Sequence, residues 1–238
     1  MSEKIEIILV DIGNTRTKSA EVRGGHIAQA RSWDNFNQLN NAYHNDVPFI
    51  ICSTGFELIK RSNTLVLSHE TSIPITLDYE TPETLGADRI AAAVGAHVLF
   101  PNTNSLIVDL GTCMTIDFII AGKKFIGGTI SPGLTMRMKS MSHFTANLPD
   151  ISSQWEKIDY NILGKSTRKC LHSGSFGGIM NEIEGTVAKL KKDFTSINVI
   201  LSGGDAHHFE YKLKAYTFVG PKIVFTGLYQ IWKHQFKH

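Results

Sequence analysis

The stretch Leu9-Val10-Asp11-Ile12-Gly13-Asn14-Thr15-Arg16-Thr17-Lys18 closes an apolar run, IEIILV over residues 5–10, with a carboxylate, a glycine and small hydroxyl and amide side chains. The run reads as a buried strand, and a buried strand that ends in a charge needs a physical reason. The same arrangement returns as Leu106-Ile107-Val108-Asp109-Leu110-Gly111-Thr112-Cys113-Met114-Thr115. Val10 falls on Val108, Asp11 on Asp109, Gly13 on Gly111, Thr17 on Thr115 and, without a gap, Gly24 on Gly122, a constant offset of 98 residues. Two copies of one plan are expected.

Each copy reads as an apolar strand, a tight polar turn, an alternating strand (residues 17–23 and 115–121), a glycine turn and a third strand, which is an antiparallel meander made twice. Helical periodicity follows each meander, over about residues 36–44 and 83–100 in the first half and about 134–143 and 164–192 in the second. Strands return near residues 49–52, 64–67 and 198–201. The expectation is an α/β fold, duplicated, with halves at 1–103 and 104–238 that meet at Pro101-Asn102-Thr103-Asn104. Residues 221–238 read as a terminal helix with proline at its start.

Composition sets outer bounds. The 238 residues are 42% hydrophobic, enough for a real core, and the net charge of +2 comes from 24 Lys/Arg scattered among 22 Asp/Glu. Nothing here marks a nucleic-acid binder. Three cysteines, Cys52, Cys113 and Cys170, lack metal-ligand spacing and suggest no disulfide framework. The first ten residues carry acidic side chains where a signal peptide is basic, and no apolar stretch is long enough to span a bilayer, so a cytoplasmic protein without membrane contact is expected.

Chemistry enters at the turns. A glycine two residues past the aspartate allows close backbone approach, and the hydroxyls, amides and backbone N–H groups that follow suit phosphate oxygens. Asp11 and Asp109 would repel a phosphate unless a cation lay between, so the pattern points to a nucleotide with Mg²⁺ and Lys18 on the phosphates. A single such turn is equally an ordinary β-turn, since turns use these residue types; the duplication favours the phosphate reading. Between the copies, Asp88 and Arg89 precede the small-residue run 90–96, which reads as a closely packed helix. They form either a surface pair or a general base beside an anion-holding arginine. The segment LSGG at 201–204 either lets a flat adenine lie on backbone or makes a strand-to-helix turn with positive φ. GGTISPG at 127–133 shapes a tight wall.

Six motifs in order, DIGNTRTK (11–18), LGADR (85–89), DLGTCMT (109–115), GGTISPG (127–133), GKST (164–167) with Ser173-Gly174, and LSGG (201–204), resemble those of type III pantothenate kinases. That family lies in the acetate and sugar kinase, Hsp70 and actin superfamily. The resemblance implies the duplicated ribonuclease H-like fold, with a nucleotide cleft between similar halves, and ATP-dependent phosphorylation of pantothenate in coenzyme A biosynthesis. It implies that Asp11, Ile12, Gly13, Asn14, Thr15, Arg16, Thr17 and Lys18 bind the ATP phosphates and that Thr112 binds another part of the nucleotide. Asp88 is implied as catalytic base, with Tyr79, Gly86, Ala87, Asp88, Arg89 and Thr167 around pantothenate. Asp109 is implied to hold a monovalent cation, K⁺ or NH₄⁺, with Asp11 serving Mg²⁺, in a homodimer. The pair Cys113-Met114 departs from the smaller residues frequent in the family. The alternatives are another superfamily kinase, acting on a sugar or carboxylate, and a non-catalytic regulator on the same fold.

Overall fold

The computed structural model describes residues 4–54, 61–157, 159–210, 212–213, 217–220 and 222–236. The first meander consists of β1 (Ile7–Ile12), β2 (Thr17–Arg23), β3 (His26–Ile27) and β4 (Arg31–Trp33). Next come α1 (Phe36–Asn41), β5 (Phe49–Ser53), β6 (Thr64–Val66), β7 (Thr76–Leu77) and α2 (Ala87–Leu99). The second copy supplies β8 (Asn104–Leu110), β9 (Cys113–Ile120), β10 (Lys124–Pro132) and α3 (Leu134–His143). The chain ends with α4 (Thr167–His172), α5 (Gly178–Leu190), β11 (Ile197–Ser202), β12 (Thr217–Val219) and α6 (Ile223–Phe236).

The duplication is visible in the strand order. One sheet runs β3-β2-β1-β5-β6, with β4 also on β2; the other runs β12-β11-β8-β9-β10-β7, so that β10-β9-β8-β11-β12 repeats the first plan. β1 pairs antiparallel with β2 and parallel with β5, and β11 pairs parallel with β12. β1 is therefore covered on both faces, which explains its unbroken apolar run. One face carries Ile8, Val10, Ile12, Phe36, Leu39, Phe49 and Ile51 in a single core. The opposite face, bearing Ile7, Leu9 and Asp11 by the period of two, lies toward α6.

Compactness divides the chain differently from the sequence copies. One unit comprises residues 1–105, 118–127 and 221–238; the other comprises 106–117 and 128–220. The terminal helix thus belongs with the first copy because α6 docks on α2. A Cβ on Gly95 would lie 2.1 Å from the carbonyl oxygen of Ile223, and one on Gly227 would lie 1.7 Å from that of Ala91. The two helices touch backbone to backbone, and this is the neighbour that the small-residue run requires. α6 also buries Ile223, Phe225, Leu228 and Ile231; Pro221 and residues 237–238 of the expected helix lie outside the described residues.

Two helices begin later than their periodicity suggests. The expected helix from residue 83 is broken: Pro82–Thr84 form a short 3-10 turn, Leu85 and Gly86 are extended at ψ 124° and 132°, and α2 starts at Ala87. In the second half α4 starts at Thr167 behind its cap Ser166, and a single π turn, Ser173–Gly177, joins it to α5. Gly164 lies outside the helix, where a Cβ would strike the backbone of Lys169 and Cys170 at 2.4 Å.

Replacing a mid-helix glycine with alanine ordinarily stabilises by about 0.5–1 kcal/mol. Gly227→Ala should do the opposite, costing about 1–3 kcal/mol through overpacking against Ala91. Urea unfolding measures the sign, and a stabilised variant would contradict the helix contact.

Candidate active site

In the first unit the site starts at the end of β1. Gly13 N–H donates to the carbonyl of Arg16 at 3.1 Å and closes the turn into β2. Gly13 does not have positive φ, and a Cβ there would meet only Arg16 O, at 3.5 Å. Neither backbone conformation nor packing demands this glycine. Its bareness leaves the turn open to a ligand, and that favours the phosphate reading over an ordinary β-turn. Asn14, Thr15 and Arg16 are exposed at the tip, whereas Ile12 and Thr17 are buried. Ile12 offers backbone only, and its carbonyl accepts from Thr54 N–H at 3.0 Å.

Asp11 and Lys18 are cross-strand partners in the β1–β2 register, so the lysine sits beside the carboxylate on the same face. On the other side Cys52, fully buried in β5, points its Sγ at Asp11 Oδ1 from 3.6 Å. Burial pushes the Asp11 carboxyl above its ordinary range; Lys18 opposes this, the nearby charge of Asp88 adds to it, and the Cys52 S–H opposes it. Burial, together with the charges of Asp11 and Asp88, drives the Cys52 thiol up, so it stays protonated.

Asp88 occupies the first turn of α2, where the helix dipole favours a negative charge. Its Oδ1 accepts the backbone N–H of Arg89 at 2.9 Å. A Cβ on Gly86 would lie 2.5 Å from that same oxygen, so only glycine leaves the carboxylate where it is. Ala87 is buried under the helix start, and Arg89 is only 7% exposed, which removes the surface-pair reading. The Arg89 guanidinium lies 5.8 Å from the ring centres of both Tyr79 and Phe125. Those rings are 6.0 Å apart, and Gly127, at φ 106°, faces the Tyr79 ring. The sequence reading missed the parts of Phe125 and Cys52, and marked Gly127 only within the wall-forming segment 127–133. Each lies on a strand remote in sequence from the residue it serves, and only pairing brings it there.

The second unit carries a shorter form of the turn: β8 ends at Leu110 and β9 begins at Cys113, ahead of the expected strand start at residue 115, whereas residues 13–16 separate β1 from β2. Gly111 N–H donates to Cys113 O at 3.1 Å, and a Cβ on Gly111 would come within 3.4 Å of Asp109 Oδ1. Thr112 is exposed; Met114, the larger of the departing pair, is fully buried. Gly133 packs so tightly that a Cβ would lie 2.1 Å from Gly111 O. Gly203, at φ 91°, abuts Leu110 backbone at 2.3 Å for a Cβ, so this glycine serves the strand contact and the turn, while Gly204 faces open space. Thr167 is exposed at the first position of α4.

Residues 51–189 match the family described as type III pantothenate kinase. Over 231 residues the sequence is 39% identical to the type III pantothenate kinase of Cytophaga hutchinsonii, covering 94% of this chain and 97% of that one. The chain belongs to the type III pantothenate kinase family. A second type III pantothenate kinase, from Bacteroides fragilis, is 36% identical over 238 residues, with 94% and 96% covered. Among solved structures, a protein described as a conserved Baf family transcriptional activator of Campylobacter jejuni superposes with a TM-score of 0.68 at 22% identity, covering 98% and 100%. A ROK family glucokinase from Streptomyces griseus superposes at 0.52 and 14% identity, covering 94% and 98%. At these identities the two structures establish the duplicated ribonuclease H-like fold and nothing of substrate. As a member of a kinase family, the type III pantothenate kinase chain uses ATP with a divalent metal.

The raised Asp11 carboxyl carries a stability signature. A group whose folded value exceeds its unfolded 3.8 contributes stability that is fully present below 3.8 and lost as pH rises through the folded value. Ligand-free Asp11→Asn should therefore melt above wild type at pH 7, and the difference should vanish below about pH 4. Thermal melts across pH measure it; a pH-independent difference would contradict the burial effect.

Proposed function

We propose that the chain transfers the γ-phosphoryl group of ATP to the primary hydroxyl of pantothenate, giving 4′-phosphopantothenate, the first step of coenzyme A biosynthesis. The observation that carries this reading is the start of α2. There Asp88 is held open to a ligand by the bareness of Gly86, next to a buried arginine, within the segment matched to the family.

Asp88 accepts the proton of the attacking hydroxyl. In a loose transition state that proton leaves late, so the carboxylate acts mainly by orienting the hydroxyl, and an aspartate is basic enough. Arg89, braced by Tyr79 and Phe125, offers a guanidinium to the carboxylate of pantothenate. Gly86 and Ala87 shape that pocket and Thr167 contributes its hydroxyl.

The turn from Asp11 to Lys18 supplies backbone N–H groups, exposed polar tips and the Lys18 ammonium to the ATP phosphates, and Thr112 on the second turn binds another part of the nucleotide. Mg²⁺, when bound, neutralises charge on the phosphates. The residues fit it: Asp11 is a desolvated carboxylate facing a second negative charge, with Lys18 as its cation. Among the described residues no cluster of three His, Cys, Asp or Glu is arranged to hold a metal. The ion would be held chiefly by phosphate and water, with Asp11 acting through water. Asp109 holds the monovalent cation, K⁺ or NH₄⁺, beside the bare Gly111. The enzyme works in the cytoplasm as a homodimer. No helix among the described residues is long and apolar enough to cross a membrane.

ADP release with ATP and pantothenate, in potassium and then in sodium, tests the reaction. Asp88→Asn should lower kcat by about 10²–10⁴ with ATP binding retained; near wild-type turnover would remove Asp88 from its role. Asp109→Asn should weaken potassium activation while leaving the Mg²⁺ requirement nearly unchanged, and equal loss of both would refute the division between the two aspartates. For assembly, sedimentation of a dilution series should show activity falling with the dimer. A fully active monomer would refute it.

A further inference from the structure

Cys52 has no part in the chemistry above, yet it occupies the position beside Asp11. In the parallel register of β1 and β5 the two residues are direct partners. Its side chain is fully buried, and Sγ lies 3.6 Å from Asp11 Oδ1 and 3.6 Å from the carbonyl oxygen of Val10. A buried cysteine ordinarily serves as a small hydrophobe, a part that alanine or valine would fill on a strand whose neighbours are Phe49, Ile50 and Ile51. Here one proton faces two acceptors. In the ligand-free protein the ionised carboxylate is the stronger, because a charged acceptor strengthens a hydrogen bond.

We infer that Cys52 is a positioning residue for the phosphoryl transfer: its S–H holds Oδ1 of Asp11 and leaves Oδ2 for the hydration shell of the divalent cation. When cation and phosphates bind, the same proton stays on Oδ1, so the hydrogen bond persists in the loaded state and its removal weakens cation binding. No bond to sulfur forms or breaks. The thiol keeps its proton throughout, because a thiolate buried beside a carboxylate would have no compensating partner. The inference rests on the reading of Asp11 as the Mg²⁺-supporting carboxylate.

Cys52→Val removes the donor and keeps apolar bulk on the strand; Cys52→Ala removes the donor and leaves space. In both, the Mg²⁺ concentration for half-maximal activity at saturating ATP should rise about 3–10-fold, the worth of one ordinary hydrogen bond, because S–H is a weak donor. The pantothenate KM should stay unchanged and kcat should fall by less than about 2-fold. Cys52→Ser, which restores a donor, should move the Mg²⁺ requirement back toward wild type. A second measurement needs no turnover. The infrared S–H stretch of Cys52, isolated by subtracting the Cys52→Val spectrum, should shift when Mg²⁺ and a non-hydrolysable ATP analogue are added together.

A Cys52→Val enzyme with wild-type Mg²⁺ dependence, or an S–H band that does not move, overturns the inference. Asp11→Asn separates the two levels. If Asp11→Asn shifts the Mg²⁺ requirement and Cys52→Val does not, only the inference fails. If Asp11→Asn leaves the requirement unchanged, the reading of Asp11 fails and the role of Cys52 falls with it.

Discussion

The backbone contact between α2 and α6 is the constraint from which the first unit follows. Gly95 against Ile223, and Gly227 against Ala91, leave no room for a single methyl group. Helices this close cannot slide or rotate without collision, because packed interiors have no spare volume. With α6 on β1 and β5, α2 is fixed above the same strands, and its N-terminal turn is fixed with it. The position of Asp88 is therefore a consequence of glycines at 95 and 227, both of which pack against helix backbone.

The same economy of atoms appears at the start of α2. Pro82 and the extended Leu85 and Gly86 delay the helix to Ala87, so that Asp88 falls in the first turn rather than mid-helix. A first-turn carboxylate gains from the helix dipole and stands clear of the helix wall. Arg89, one position on, turns inward between Tyr79 and Phe125. Two adjacent charged residues thus take opposite parts, one partly open and one buried, because successive side chains on a helix point about 100° apart.

Asp11 answers the question set by its sequence. A carboxylate at the end of a doubly covered strand, next to a buried thiol and within the field of Asp88, is held at a cost that the folded chain only partly offsets through Lys18. Such a perturbed carboxylate marks a functional-site candidate, and the proposed cation would complete the balance. At the sequence offset of 98 residues, Ile116 stands where the first copy has Lys18. That difference in sequence is the ground for the proposal that the two aspartates serve different ions.

Much of this was legible in residues. The 98-residue repeat, the doubled meander and the helix at 134–143 follow from local periodicity, and the six motifs placed the chain in its family. Local pattern also marked Gly13 and Gly111 as special, but whether turn geometry or ligand access explained them depended on φ and on neighbours in space. The two readings of Asp88-Arg89 parted only on burial, and the glycine of LSGG found its reason in Leu110, some ninety residues earlier in the chain. Periodicity determines which face of an element is apolar, so the sequence by itself established the elements, their duplication and the candidate chemistry. What covers each face depends on strand pairing and helix docking between distant segments. Only the tertiary structure therefore decided that α6 joins the first copy, that Phe125 braces Arg89 and that Cys52 lies against Asp11.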